Sequence, residues 1–275
     1  MPRVDGFLYS INFGYIASSL AIICAAMFFL GHRHKIIYLV GFIAASLAML
    51  FSGTRGALIA YLITSFIISA FNLRKGNIKV VVIFSLIITL CLYALYGFNK
   101  SFSSRINNTI SKVEAILNQD KGFTSVNARF EIWKSVLYMT KDNLWLGTGY
   151  NERAQKLQEL IKQGKISKDI PFGKGHRNHG HNEVMEALVS KGLFGVLALL
   201  AFYWAFLRLF FKKAVGKKSE TQYIAAVCGF LFVLQFILCG LTEAPLLRNA
   251  ISAFFIVTVS FFIASLADKP IFSPD

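Results

Sequence analysis

The sequence predicts an all-α, polytopic membrane protein, and three observations carry that prediction. Hydrophobic residues make up 55% of the 275 positions and phenylalanine alone supplies 27 of them. Charged residues account for only 16%, against roughly 25% in an ordinary soluble domain. The apolar residues also fall into runs long enough to cross a bilayer as helices. The predicted fold class is therefore about seven transmembrane helices with one large helical loop outside the membrane.

Seven apolar segments can be drawn along the chain, and each is predicted to form one span. They divide the chain into a bundle of four spans (1–98), a polar loop (99–192) and a bundle of three spans (193–275). The second and third segments are short for a span, and the tight turn SGTR joins them. In order, the seven segments are 8–30, 36–51, 56–71, 78–98, 193–211, 222–241 and 247–267.

Basic residues in the short connections predict the orientation of these spans. GHRHK, NLRKGNIK and KKAVGKK are rich in lysine and arginine, which marks them as cytoplasmic, whereas SGTR and TEAPLLR carry one arginine each. The two kinds of connection alternate along all seven spans, so the loop 99–192 is predicted to lie outside the cytoplasm. Orientation and anionic membrane lipids thus explain the formal charge of +15, and no nucleic-acid partner is predicted.

The same orientation places the amino terminus outside the cytoplasm. The first residues, MPRVDGFLYSIN, nevertheless have no signal-peptide pattern. We therefore expect the chain to be the carboxy-terminal part of a longer protein, with an odd number of spans upstream. Whether Met1 is the true start stays open.

Helical patterns recur inside the polar loop. SVNARFEIWKSVLYMTKDN predicts a helix with Phe130, Trp133, Val136, Leu137 and Thr140 along one face. The glycines of LWLGTGY end it, and NERAQKLQELIKQGK predicts a second, highly polar helix. HNEVMEALVSKG then predicts a third helix that leads into the fifth span.

The ionisable residues lie at the ends of the spans or outside them, which disfavours a proton- or ion-coupled pump. An uncoupled flippase or a lipid-binding protein without chemistry stays open. Chemistry, if present, is expected at the outer membrane surface. The predicted topology brings one group of side chains together there: Arg55, Arg129, His176, His179 and His181.

The residues alone leave three interpretations of this cluster open. A metal site is disfavoured, because the histidines are unevenly spaced and no nearby carboxylate or thiolate has ligand spacing. The four cysteines, all inside apolar runs, predict no disulfide or zinc site either. Alternatively, one neutral imidazole acts as a base toward a hydroxyl while the arginines hold an anionic leaving group. In the third interpretation, Arg55 anchors the interface while Arg129 and the histidines are solvated surface groups.

Three motifs resemble those of the O-antigen ligase family. The family signature is His, then Asn, Ser or Gln, nine residues, Gly, two residues, and Gly, Thr or Tyr. In HNEVMEALVSKGLFG it is met by His181, Asn182, Gly192 and Gly195. SGTRGALIA resembles the family's arginine at a periplasmic span end. NARFEIWKSVLYMTKDNLWLGTGYN resembles its loop motif of an arginine, an aromatic-rich helix and a Gly-x-Gly turn. The motifs stand in the family's order, and the resemblance covers essentially the whole chain.

The resemblance implies a GT-C-like, metal-independent, inverting glycosyltransferase of the bacterial inner membrane whose active site faces the periplasm. It implies a donor glycan on undecaprenyl pyrophosphate, an acceptor hydroxyl on lipid A–core and no cofactor. It also implies that His181 is the general base and that Arg55 and Arg129 bind the donor pyrophosphate. Positions with a possible supporting role are His179, Asn182, Glu243 and Arg248.

Related activities stay open at this point. A polymerase of polysaccharide repeat units and a protein O-glycosyltransferase would use similar residues and differ in the acceptor. An inactive remnant that lacks upstream helices is a further alternative. The sequence predicts neither the glycan structure, nor the acceptor sugar, nor the oligomeric state.

Overall fold

A computed structural model describes residues 9–31, 33–73, 97, 103–104, 107, 110–111, 125–167, 179–216 and 219–267. All regular elements in this part of the chain are helical, which confirms the all-α prediction. A short 3₁₀ turn, Pro245–Leu247, precedes the last helix. The described residues contain eight α-helices with defined bounds: α1 (Ser10–Leu30), α2 (Lys35–Ser52), α3 (Arg55–Leu73), α4 (Ser125–Thr140), α5 (Gly149–Lys162), α6 (Glu183–Val215), α7 (Glu220–Gly240) and α8 (Asn249–Ala264).

Six of the seven predicted spans correspond to helices in this structure. Four of them (α1, α2, α6 and α7) are long and apolar enough to cross a membrane, and two shorter apolar stretches lie in α3 and α8. The predicted fourth span, 78–98, lies outside the described residues except for residue 97, as does His176.

The first helix is the centre of the membrane bundle, where α2, α3 and α7 pack against it. Its packed face consists of small residues such as Ser18, Ala21 and Ala25, all at most 1% exposed. Small side chains let helix backbones approach closely, which is the usual basis of helix packing in membranes.

A buried polar network fixes how these helices align. The Gln235 side chain of α7 donates to the Ser18 hydroxyl of α1 (3.0 Å) and accepts from the Thr64 hydroxyl of α3 (2.9 Å). An amide in an apolar bundle is costly unless it is paired. The network therefore fixes the positions of α1, α3 and α7 along one another. It thereby also fixes the positions of the helix ends that meet at the site described below.

Helix α4 buries a face that only partly overlaps the predicted one. Ile132, Val136 and Met139 are at most 2% exposed, whereas Phe130 and Leu137 are more than half exposed. The prediction was therefore right for Val136 and Thr140, partly right for Trp133, and wrong for Phe130 and Leu137. The error arose because aromatic and aliphatic residues occur almost all round this helix, so spacing alone did not select one face.

The long helix α6 is kinked at Gly192, whose backbone has φ 64° and ψ −157°. The segment between α4 and α5 binds the backbone at this kink. The Leu193 amide donates to the Leu144 carbonyl (2.9 Å), and the Thr148 amide donates to the Val189 carbonyl (2.8 Å). Groups that lose their helical partners at the kink are thus satisfied by the polar loop.

Two glycines allow this close approach of backbones. A Cβ on Gly192 would overlap the Trp145 carbonyl group, and a Cβ on Gly147 would lie 2.6 Å from the Gly192 amide nitrogen. Both glycines have positive φ. Gly147 of the Gly-x-Gly turn and Gly192 of the family signature therefore pack directly against each other.

Gly192→Ala is predicted to destabilise the protein much more than Gly164→Ala. Both glycines have positive φ, but the position of a Cβ on Gly164 is open space. The left-handed backbone alone costs an alanine roughly 1–2 kcal/mol. The overlap with Trp145 raises the cost at Gly192 to on the order of 4 kcal/mol. Thermal unfolding of the purified variants in detergent measures the difference, and equal losses of stability would contradict the proposed contact.

Candidate functional site

The candidate site is built around the first residues of α6. Asn182 caps this helix, since its side-chain oxygen accepts hydrogen bonds from the amides of Val184 (2.9 Å) and Met185 (3.1 Å). Its side-chain amide donates to the Leu241 carbonyl at 3.1 Å. Asn182 thus fixes both the start of α6 and its contact with the connection between α7 and α8.

The buried carboxylate of Glu183 makes a second link to that connection. It accepts hydrogen bonds from the Tyr203 hydroxyl (2.6 Å) and from the Leu246 amide (2.9 Å). Both of its oxygens are therefore satisfied, as burial of a carboxylate requires. Nothing in the sequence spacing of Glu183 distinguishes it from a solvated residue in the first turn of a helix, so its role is not predictable from sequence.

Glu243 lies in this connection and faces two imidazoles. Its Oε1 is 3.0 Å from His179 Nδ1, and its Oε2 is 3.1 Å from His181 Nδ1. The contact with His181 has hydrogen-bond geometry, whereas the His179 nitrogen lies at ion-pair distance but off a hydrogen-bond axis. The imidazole rings are 4.2 Å apart. His181 is the more accessible of the two, with 32% of its side chain exposed against 14% for His179.

Glu243 is ionised in this environment. Burial by itself raises the pKa of Glu243, but the contacts with His179 and His181 outweigh burial and lower the pKa to about 2. An ionised carboxylate can only accept hydrogen bonds, so it favours the His181 tautomer with a proton on Nδ1. The lone pair of Nε2 is then available to a substrate.

The backbone at His181 is in the left-handed region, with φ 46°. This conformation is uncommon for a residue other than glycine. Strained residues of this kind cluster at active sites and ligand-binding sites, where the surrounding structure holds them in place.

The neighbouring Gly180 is held from both sides. The Trp133 indole of α4 donates to its carbonyl (3.0 Å), and its amide donates to a Glu186 carboxylate oxygen (2.7 Å). The aromatic helix of the polar loop therefore contacts the histidine segment directly. Trp133 and Glu186 are positioning residues that the sequence analysis did not identify.

Glu186 is itself held by a buried arginine. Its carboxylate forms a two-pronged pair with Arg153 of α5, at 2.8 and 3.3 Å, and Arg153 also donates to the Ser190 hydroxyl (2.8 Å). The side chains of Arg153 and Glu186 are 2% and 4% exposed. The prediction of a highly polar helix was correct for most of α5 but missed this pair. Arg153 and Leu157 are both buried and lie four residues apart, so they share one face of α5. This spacing is the sequence signal for the buried face of the helix.

Arg55 lies beside the Glu243 connection. It is the first residue of α3 and is exposed. The following residue, Gly56, packs so closely on Thr242 that a Cβ on it would overlap the threonine side chain. Because Thr242 precedes Glu243, the guanidinium of Arg55 is attached at the same end of the bundle as the two histidines.

Arg129 of α4 is half-buried at this end too. Tyr15 of α1 contacts the Thr242 side chain and interacts electrostatically with both Glu243 and Arg129. Arg248 is exposed and immediately precedes α8. The structure thus brings Arg55, Arg129, His179 and His181 to one end of the membrane bundle, while His176 lies outside the described residues.

The same histidines and Glu243 form a donor set that suits a metal ion. One ligand atom from each of the three residues lies within 4.8 Å of the others. Two histidines and one glutamate are the protein ligands of a well-known type of catalytic zinc site. In the sequence a metal site is disfavoured, because the histidines are unevenly spaced and no nearby carboxylate or thiolate has ligand spacing. That reasoning was incomplete, because Glu243 is 62 residues from His181 in the chain and is brought there by folding.

Comparisons with known proteins place these residues in a family context. Residues 40–200, more than half of the chain, match a family described as O-antigen ligase. Over 261 residues the chain is 28% identical to an uncharacterized protein of Haemophilus influenzae, a match that covers 92% of this chain. The chain spans 64% of the length of that relative. The family match includes Arg55, Arg129 and His181, while Glu243 lies beyond it.

Glu243→Gln is predicted to change how stability depends on pH. The pKa of Glu243 is lowered from 4.5 to about 2 in the folded protein, so its stabilisation is present above pH 4.5 and is lost as pH falls toward 2. We expect the wild type to exceed the variant by on the order of 3 kcal/mol at neutral pH, with the gap closing in acid. Unfolding in detergent at several pH values measures this gap.

Glu152→Gln is the matched control, since Glu152 is 69% exposed and makes only a long contact with Lys156. A stability difference for Glu243→Gln that stays constant from neutral pH to pH 2 would contradict the assigned contacts between Glu243 and the two imidazoles.

Proposed function

Because the chain belongs to the O-antigen ligase family, we propose that it transfers an O-antigen glycan from undecaprenyl pyrophosphate to a sugar hydroxyl of lipid A–core. One observation carries this proposal: the His181 imidazole, oriented by ionised Glu243, lies at the end of the membrane bundle that also carries Arg55 and Arg129. A base beside two anion-binding groups suits attack by a hydroxyl on a glycosyl diphosphate.

His181 Nε2 accepts the proton of the acceptor hydroxyl as that oxygen attacks the anomeric carbon of the donor. The new glycosidic bond forms opposite the leaving group, and the bond from the anomeric carbon to the pyrophosphate oxygen breaks with its electron pair. Configuration at the anomeric carbon is thereby inverted. Glu243 stabilises the imidazolium that results, as a carboxylate does for the histidine of a hydrolase triad.

Arg55 and Arg129 neutralise the departing pyrophosphate. A guanidinium presents a planar pair of donors that matches two phosphate oxygens, and it keeps its charge at any working pH. Arg55 has a further advantage, because it begins α3 and the amino-terminal end of a helix favours an anion. Two such groups supply charge stabilisation without a metal ion.

The more buried His179 contacts the other carboxylate oxygen of Glu243. We assign it a supporting role, in which it fixes the direction of the carboxylate that orients His181. Arg248, exposed at the start of α8, has room to contact a donor phosphate.

The location of the site suits substrates that are anchored in lipid. The family acts in the inner membrane, and a site at the end of a helical bundle lies at the depth where two lipid-linked molecules meet. The distribution of lysine and arginine in the short connections favours the periplasmic side for this end. Anchoring of both substrates supplies much of the required proximity and orientation.

A second candidate function, a metal-assisted transferase, is favoured by the His179–His181–Glu243 donor set. A bound zinc ion would then polarise a donor oxygen or activate the acceptor hydroxyl. Treatment with a chelator separates the two candidates. The proposed base mechanism predicts unchanged transfer after EDTA, whereas loss of transfer that added zinc restores would establish the metal-assisted one.

His181→Ala is predicted to abolish glycan transfer while membrane insertion stays normal, because it removes the base and no core packing. Lipopolysaccharide from a ligase-deficient strain that expresses each variant gives the readout: a high-molecular-weight ladder on a gel. His34→Ala is the matched control, since His34 is also a histidine with positive φ but precedes α2, at the opposite end of the bundle.

The ladder should form with the unmutated chain and with His34→Ala, and should be missing with His181→Ala. A normal ladder from His181→Ala would refute the assigned base. Polymer that accumulates on the lipid carrier in place of the ladder would identify a polymerase and contradict the proposed acceptor.

Arg55→Lys and Arg129→Lys are each predicted to lower transfer at least about tenfold, since loss of one bidentate contact costs more than about 1.4 kcal/mol in the transition state. Arg208→Lys, on the span of α6, is the control and should transfer normally. The same gel assay, with the amount of each protein in the membrane measured in parallel, gives the comparison. Normal transfer by both site variants would show that these arginines only anchor the interface.

A further inference from the structure

An apolar surface next to the kink of α6 has no role in the proposed chemistry. It consists of Leu144, Trp145, Leu146 and Phe194, which are exposed by 45%, 55%, 65% and 57%. We propose that this surface, named here the 144–194 patch, is inserted in the boundary between lipid headgroups and acyl chains. In that position it anchors the polar loop to the bilayer.

Backbone contacts fix the depth of the patch relative to the span. The Leu193 amide donates to the Leu144 carbonyl (2.9 Å), and the Phe194 amide donates to the Trp145 carbonyl (3.4 Å). The rings of Trp145 and Phe194 are in contact, with centroids 5.3 Å apart. Residues 144–146 therefore lie at the height of the first residues of α6 after the kink.

The patch continues into the surface of α6 that faces lipid. Further along this helix, Leu197, Leu200 and Trp204 are also more than half exposed. Trp204 is ten residues beyond Phe194, which places it roughly 15 Å deeper along the helix axis, near the middle of a bilayer. An apolar surface that is continuous with the face of a membrane span has the bilayer as its natural occupant.

Charged residues flank the patch on its polar side. Lys141 in the approach to the patch and Lys191 just before the kink are both exposed. Aromatic rings at the headgroup level with lysines reaching the phosphates are the usual composition of a membrane interface. This composition favours lipid over a protein partner, whose contact surface would be depleted in lysine.

The anchor has a structural consequence for the site. Residues 144–146 of the patch lie in the connection between α4 and α5. These helices carry Trp133, which binds Gly180 directly, and Arg153, which holds Gly180 through Glu186. A loop that is tied to the bilayer at this point keeps that segment at a constant depth relative to the bilayer.

The test uses tryptophan fluorescence quenching in vesicles of phosphatidylcholine and phosphatidylglycerol. The full chain is reconstituted with nitroxide-labelled lipids whose label lies either near the headgroup or near the end of the acyl chain. Trp204→Phe removes the deep tryptophan and leaves Trp133 and Trp145, the other tryptophans of the chain. Adding Trp145→Phe leaves Trp133, which is held inside the polar loop by its bond to Gly180.

We expect the Trp204→Phe protein to lose emission mainly with the shallow label, and this loss to disappear when Trp145→Phe is added. The wild type should show an additional loss with the deep label, from Trp204. Equal quenching of the single and double variants, with Trp145 instead accessible to aqueous acrylamide, would overturn the proposal. That result would leave the proposed transferase function untouched, because neither the base nor the arginines enter this measurement.

Discussion

The contact between the Glu243 carboxylate and the two imidazoles is the interaction on which the candidate site depends. Glu243 lies in the connection between α7 and α8, whereas His179 and His181 precede α6. These segments meet because Asn182 and Glu183, the next two residues of the chain, both bind that connection. Asn182 and Glu183 thus hold His181 in contact with Glu243.

The polar loop supports this contact from the opposite side. Trp133 and Glu186 hold Gly180, and Arg153 holds Glu186 inside the fold. A buried ion pair of this kind adds little net stability, because desolvation offsets most of the attraction. It does impose one arrangement, since removal of one partner leaves an uncompensated buried charge. The loop therefore acts as a rigid support for a strained segment.

The fold could be predicted from the sequence far more completely than the site. Membrane helices can be recognised in a sequence by their length and apolar composition. These two properties predicted the bounds of α1, α2 and α7. The site is assembled from five segments that are distant in sequence, and spacing carries no information about such contacts. Residues with a motif, such as His181, were found through family resemblance, whereas Arg153 and Glu186 became visible only through their burial.

The central claim, that Glu243 holds His181 with Nε2 available as a base, is tested most directly by nitrogen NMR of histidine. Protein labelled with ¹⁵N in its histidines, with the His181 signals identified from a His181→Asn variant, reports which ring nitrogen carries the proton. The contact between Glu243 and Nδ1 predicts that the neutral form of His181 carries its proton on Nδ1, and that this preference is lost in Glu243→Gln. A proton on Nε2 in the wild type would contradict the assignment, because that tautomer could not accept a proton from the acceptor hydroxyl.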